Sequence, residues 1–132
     1  MGFLLEIITP RGIYLSKEVD SLTIKLSSGY RTLLAGHTPL IGSLGYGEMH
    51  YSESNKIESF ALHGGAINVT KEKVSVICNA IENANEIDKE RALAAKERAE
   101  KRLAEKDPNT DLKRAQLALQ RSLIRLEVLG KK

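Results

Sequence analysis

In this 132-residue chain, two groups of arginines are the residues best placed to do chemistry. Arg91, Arg98 and Arg102 stand at offsets of 0, 7 and 11, and Arg114, Arg121 and Arg125 repeat those offsets. Residues so spaced share one face of a helix, so each set forms a single stripe if its segment is helical. The spacing leaves two readings open. A solvated basic face with i,i+4 partners, such as Glu97 with Lys101, is the commoner fate of such a run. Alternatively, two stripes flanking one seam gather like charge, a cost that a polyphosphate or an acidic partner protein would remove, with guanidinium offering bidentate geometry.

Nothing else in the chain assembles into a reaction centre. His37, His50 and His63 show no metal-ligand spacing to one another. A histidine base needs a nucleophile and an orienting carboxylate, and none stands at a suitable spacing. Gly36-His37-Thr38-Pro39-Leu40 reads first as a Gly/Pro turn with an exposed imidazole. Gly64-Gly65 lacks the following Lys-Ser/Thr of a nucleotide loop and reads as a bulge or tight hairpin. With no Trp, four Tyr and two Phe, there is no stacking platform for single-stranded nucleic acid. The expectation is a noncatalytic protein without a resident metal.

The arginine stripes require helices. From about Asn85 to Lys106 the chain lacks Gly and Pro and is rich in Ala, Glu, Lys, Arg and Leu. Asn85 is the expected N-cap, with Glu86 and Asp88 in the first turn. Asp107-Pro108-Asn109-Thr110 should end that helix, and Thr110 or Asp111 should cap a second one running to about Leu129. So short a break predicts an antiparallel hairpin. Its expected seam is Ala92, Ala95, Ala99 and Leu103 against Leu112, Ala115, Leu119, Leu123 and Leu126. Alanines bury little area, so the pair should be marginally stable and able to open.

The preceding residues read as β structure. Short runs rich in β-branched residues alternate with turn clusters every 8–12 residues or so. Leu22, Ile24 and Leu26 alternate with Ser21, Thr23 and Lys25, as in a half-buried strand. Other expected strands are Phe3–Ile8, Tyr30–Leu34, Ile41–Leu44, Glu48–Tyr51, Ile57–Leu62, Ala66–Val69 and Val74–Cys78. Gly45-Tyr46-Gly47, Ser52–Asn55 and Lys71–Lys73 are expected to join them.

Charge divides the chain at the same place. Through Glu86 there are 7 Lys/Arg against 9 Asp/Glu, and from Ile87 onward 13 against 8, within a total of +3. The fold class predicted is α+β, an N-terminal antiparallel β-sandwich over residues 1–84 followed by an antiparallel two-helix hairpin over 85–132. The lone Cys78 excludes an internal disulfide and fits a reducing compartment. No run of 18 apolar residues is present, so no membrane span is expected. The opening residues lack a basic n-region and reach Glu6 early, so neither a signal peptide nor, with Glu at position 6, myristoylation is expected.

Four segments in order give the chain a family resemblance. They are Gly36–Leu40, Leu62-His63-Gly64-Gly65 with Val69, Ala84–Ala92, and Arg114–Arg121 continuing through Arg125-Leu126. With a β-to-helix switch in the right place, the chain resembles the epsilon subunits of bacterial rotary ATP synthases, the counterparts of mitochondrial delta subunits. The resemblance implies a noncatalytic part of the central stalk at the cytoplasmic face of the cell membrane, peripheral to it, in a complex that moves protons or sodium. It implies that the sandwich binds the gamma subunit and the ring of c subunits. The helices would either fold against the sandwich or extend along gamma toward the catalytic alpha/beta hexamer, restraining hydrolysis.

The segment Ile87-Asp88-Lys89-Glu90-Arg91-Ala92 matches the family's I/L-D-x-x-R-A motif in full, so the resemblance makes Ile87, Asp88, Arg91 and Ala92 candidates for binding ATP as a regulatory ligand, whatever its magnesium requirement. Arg98 lies two turns beyond Arg91, and Arg121 and Arg125 can face it from the second helix as phosphate candidates. Asp88 could orient the Arg91 guanidinium, Ile87 could cover a ring face, and Glu82 could accept from a base amino group. Where the family commonly has Glu and Pro, this chain has Tyr30 and Ala35, so the contact through Tyr30 and His37 to gamma or the c ring departs from the family pattern. The competing expectation is a basic helical hairpin that binds nucleic acid, attached to a small β domain; the interspersed acids and the lack of a known binding module speak against it.

Overall fold

The computed structural model describes residues 2–105 and 111–130. Eight strands precede two helices: β1 (Phe3–Thr9), β2 (Gly12–Val19), β3 (Ser21–Leu26), β4 (Gly29–Leu34), β5 (Leu40–Glu53), β6 (Lys56–Val69), β7 (Lys73–Cys78), β8 (Ile81–Asn83), α1 (Lys89–Glu105) and α2 (Leu112–Gly130). A 3-10 turn over Ala84–Glu86 joins the β and α parts. The strands hydrogen-bond in the order β2-β1-β7-β6-β5-β3-β4, and β8 pairs with β6. The sheet folds over a core that draws Leu5 and Ile7 from β1, Leu22 and Ile24 from β3, Phe60, Leu62 and Ile67 from β6 and Val76 from β7. The architecture is thus a β-sandwich followed by two helices. One pairing departs from the antiparallel expectation, because β1 runs parallel to β7. No described helix is long and apolar enough to cross a membrane.

Two expected pairs of strands are single long ones. Gly45-Tyr46-Gly47 lies inside β5, and Gly64-Gly65 lies inside β6, where their partners run in continuous register from Leu40–Val69 to Glu53–Lys56. These glycines serve close approach instead of a turn. A Cβ on Gly47 would stand 2.9 Å from Lys25 Cβ, and one on Gly65, at φ +140°, would stand 2.1 Å from the Ile77 carbonyl oxygen. Gly64-Gly65 also divides β6, which pairs with β8 before it and with β7 after it. The true turn between β5 and β6 is Ser54-Asn55, at φ 50° and 67°, the conformation that suits a two-residue hairpin. The sequence reading did not anticipate β2 or β8. The first pairs only with β1 and buries few of its side chains, and the second has three residues, so neither carries a strong alternation.

The first helix begins later than expected. Asn83, not Asn85, accepts from the Asn85 backbone N–H at 2.8 Å, while Glu86 accepts from the Asn83 N–H at 3.1 Å. This reciprocal capping box closes the 3-10 turn; Ile87 is then extended, and α1 starts afresh with Asp88 as its cap. Asp111 caps α2, accepting from the Arg114 N–H at 3.0 Å. The expected break at Asp107–Thr110 and the alternative cap Thr110 lie outside the described residues, as does Lys106 at the expected end of the first helix.

The helices pack on each other, and α2 packs on β5 and β6. Ile87, just before α1, packs on Ile124 and Val128 near the end of α2, and the two helices pack along each other, so the pair is antiparallel. On α1 the expected seam holds, with Ala92 and Ala99 buried. On α2 it holds at Ala115 but fails at Leu112 and Leu123, which are 49% and 45% exposed. Ser122, Ile124 and Val128 are buried instead. The physical reason is a second apolar demand: Ile124 and Val128 turn toward the sandwich, where they meet Ala61, Ala84 and Ile87. Ser122 donates to the Leu119 carbonyl at 2.8 Å, which satisfies its hydroxyl in a buried position.

Two stability comparisons test this packing by urea denaturation of the full chain. Gly65→Ala should cost about 2–4 kcal/mol, combining positive-φ strain with a backbone clash, and Gly64→Ala, where a Cβ has room, should cost about half as much. Val128→Ala should cost about 1–3 kcal/mol, whereas Leu123→Ala should stay within about 0.5 kcal/mol.

Candidate functional site

A cleft of about 260 Å3 opens where the 3-10 turn, the first three turns of α1 and the end of α2 converge on β8. Its walls are Glu82, Glu86, Ile87, Asp88, Arg91, Ala92, Ala95, Arg98 and Arg125. The structure therefore brings together Glu82, Ile87, Asp88, Arg91, Ala92, Arg98 and Arg125 from the sequence-derived set. Arg121 is exposed and does not line this cleft. Glu86 and Ala95 are lining residues that the sequence reading did not assign to it.

Each wall has a local cause. Ile87 and Ala92 are buried and give the cleft an apolar floor. The capping box holds the 3-10 turn, and Ile87 follows it in extended conformation, which aims its side chain into the gap between sandwich and helices. Arg91 and Arg98 sit two turns apart on α1, both exposed. The cleft lies at the positive end of the α1 dipole, a second feature that favours an anion. Asp88, expected to orient the Arg91 guanidinium, instead accepts from the Arg91 backbone N–H at 3.2 Å. It is a helix cap, and its charge is spent on that end of the dipole.

Arg125 reaches the cleft from α2 and donates its Nε to Glu82 Oε1 at 2.6 Å. The same oxygen lies 3.3 Å from His63 Nε2. Glu82 thus spends one oxygen on an internal bridge, and its expected use as an acceptor for a base would fall to the other oxygen. Glu86 is fixed twice, by the Asn83 N–H and by the Tyr14 hydroxyl, which donates to Glu86 Oε1. Burial and the adjacent Glu86 push the Tyr14 phenol well above its ordinary range, so it stays a donor at all physiological pH. The sequence hid this contact because Tyr14 stands 72 residues from Glu86. The Asn83-x-x-Glu86 capping spacing, in contrast, was there to be read.

The three carboxylates at the cleft are therefore largely committed: Glu82 to Arg125, Glu86 to Tyr14 and Asn83, and Asp88 to the helix end. Arg91 and Arg98 remain as the cations with no such partner in its walls. Two guanidiniums over an apolar floor suit a ligand with an anionic group and a flat apolar part. The cleft is small for a whole nucleotide, so it would enclose part of one and leave the rest at its open side.

The other candidates lie elsewhere. Tyr30, on β4, is 52% exposed; its hydroxyl accepts from the Glu48 N–H at 3.3 Å, and Lys25 Nζ stands 4.9 Å from its ring centre. His37 is half-buried, not fully exposed as expected, and its Nδ1 donates to the adjacent Thr38 carbonyl at 2.7 Å. His50 pairs with Glu48 at 3.0 Å. The three histidines thus have three separate partners, and no group of metal-binding side chains occurs among the described residues. Burial pushes the Cys78 thiol up to about 11, so it is no nucleophile at neutral pH.

Comparison with known proteins places these features. Residues 3–84 match the family described as "ATP synthase, Delta/Epsilon chain, beta-sandwich domain", and residues 85–130 match "ATP synthase, Delta/Epsilon chain, long alpha-helix domain". The ATP synthase epsilon chain of Bacillus velezensis is 39% identical over 125 residues, 95% of each chain. That of Caldicellulosiruptor saccharolyticus is 36% identical over 127 residues, 96% of this chain and 93% of its own. Among solved structures, a chain of the Euglena gracilis mitochondrial ATP synthase OSCP/F1/c-ring assembly superposes with a TM-score of 0.85. It covers 96% of this chain and 79% of its own at 22% identity, a likeness of fold. Matched in both its sandwich and its helical pair, and closely related over nearly its whole length to epsilon chains, this chain belongs to the ATP synthase delta/epsilon chain family, as a noncatalytic subunit of the complex.

Proposed function

We propose that this chain is a central-stalk subunit whose sandwich binds gamma and the c ring and whose hairpin regulates hydrolysis through ATP. In this reading the complex lies at the cytoplasmic face of the cell membrane, and the chain is peripheral to it. The sandwich supplies a rigid body for transmitting rotation, with Tyr30 and His37 near one contact. The released helices reach toward the alpha/beta hexamer and restrain hydrolysis, laying their basic stripes on acidic surface. Family membership supports this reading over a nucleic-acid-binding hairpin.

One observation carries the regulatory part. The cleft has walls from β8, the 3-10 turn, α1 and α2, so it exists only while the hairpin is docked. A ligand bound there stabilises the docked state by its differential affinity and by nothing else. ATP fits the donor set: Arg91 and Arg98 would take phosphate oxygens, Arg125 would add its remaining N–H groups, and Ile87 with Ala92 would meet an apolar face. ATP is a signal in this scheme and is not consumed. Its binding holds the helices folded, and its scarcity releases them.

Titration calorimetry of the purified chain with ATP, ADP and GTP, with and without magnesium, tests the site. Saturable 1:1 binding that prefers ATP is expected, and Arg91→Ala should weaken it about 10- to 100-fold, the range for loss of a charge-assisted bond. The sandwich of the variant should melt as in the parent chain. Equal affinity in Arg91→Ala would remove Arg91 from the site, and no heat up to millimolar ATP would end the nucleotide reading.

A further inference from the structure

The one histidine buried between sandwich and hairpin has a role that the cleft does not account for. His63, on β6, is 2% exposed and contacts the helical side of the sheet. Its backbone N–H is tied to the Ala80 carbonyl at 3.1 Å, so the ring's position is fixed by the sheet. Nε2 stands 3.3 Å from Glu82 Oε1, and that oxygen also accepts from Arg125 Nε at 2.6 Å. Three elements therefore meet on one oxygen atom: β6, β8 and α2.

The chemistry of that oxygen fixes the state of the ring. An ionised carboxylate only accepts, so Nε2 must carry the hydrogen and Nδ1 is left with its lone pair. Nδ1 is buried and has no hydrogen-bond partner. A second proton on the ring would place a donor where no acceptor stands, a costly arrangement in an apolar surround. The charged groups facing the ring make matters worse. Glu82 from β8 favours the proton, but Arg125 and Arg121 from α2 oppose it, and Arg125 already occupies Glu82. From β5, Tyr46 contributes a neutral ring 6.0 Å away, while the Glu48 carboxylate is engaged by His50.

We propose that His63 is a proton-operated latch: the hairpin docks on the sandwich only while this imidazole is neutral, and its protonation releases α2. This rests on the reading that the hairpin opens. Undocking removes Arg121 and Arg125 and opens the ring to water, so the released state binds the proton better than the docked state. In agreement, burial, and after it the two arginines, hold the docked imidazole below its usual value. The sign follows. The docked state binds fewer protons, so docking is strongest above the ordinary histidine range and weakens as pH falls below about 6.5, by up to about tenfold per pH unit. Acidification and ATP would thus act in opposite directions on one equilibrium.

Proton and methyl NMR of the full chain without nucleotide, from pH 8 to pH 5, tests the latch. The His63 ring should titrate below the ordinary histidine value, and the Ile124 and Val128 methyl signals should shift with the His63 midpoint. In His63→Gln those methyls should hold still over the same range. Arg121→Gln, an exposed change that leaves the buried packing alone, should move the ring and methyl midpoints upward together. The proposal is overturned if the methyls stay fixed while His63 titrates, if they shift as before in His63→Gln, or if the two midpoints part in Arg121→Gln. Because no nucleotide is present, failure of ATP binding in calorimetry would leave this result standing, and failure here would leave the ATP cleft standing.

Discussion

The contact of Ile124 and Val128 with Ala61, Ala84 and Ile87 is the interaction on which the rest of the molecule's behaviour depends. It is small beside the sandwich core, with three large apolar side chains and two alanines at its centre. Each large side chain contributes about 1.5–3 kcal/mol when fully buried, and ordering two helices offsets much of that. The sandwich has a larger core of its own, separate from this contact. A stable body thus carries a weakly held appendage, which is the physical requirement for a part that can be released.

Ile87 links that contact to the cleft. It is buried in the cluster with Ile124 and Val128, and it lines the cleft beside Arg91 and Arg98. Anything that covers Ile87 or neutralises the guanidiniums therefore acts on the same surface that holds α2 in place. Arg125 adds a second link, because its bond to Glu82 joins α2 to β8 at the edge of the same cleft. In the proposed function, docking, ligand binding and the state of His63 would all act on this one interface, so a small ligand would shift the hairpin by its differential affinity alone.

Much of this was legible in the chain, and the failures have physical causes. The α1 seam followed from the alanine period because α1 packs chiefly on α2, one partner and one stripe. On α2 the leucine period misled at Leu112 and Leu123, because that helix serves two partners and the sandwich claims Ile124 and Val128. The glycines of β5 and β6 looked like turn signals, yet they let neighbouring chains approach. Of the cleft residues, Ile87, Asp88, Arg91 and Ala92 could be named from the family resemblance and Arg98 and Arg125 from the arginine stripes, which depend on local helix geometry, while Glu86 and Ala95 were missed. Tyr14 against Glu86 and His63 against Glu82 could not be named, since only the fold brings β2, β6 and β8 to the hairpin.

In the proposed function, ATP acts by holding the hairpin on the sandwich. Its most direct test is the distance between the two, measured by pulsed electron resonance on spin labels at Lys56 of β6 and Lys113 of α2, both exposed, with the buried Cys78 left in place. Without nucleotide a docked and a released population are expected, and with saturating ATP a single docked distance. A distribution that ATP leaves unchanged, or shifts toward release, would contradict this reading.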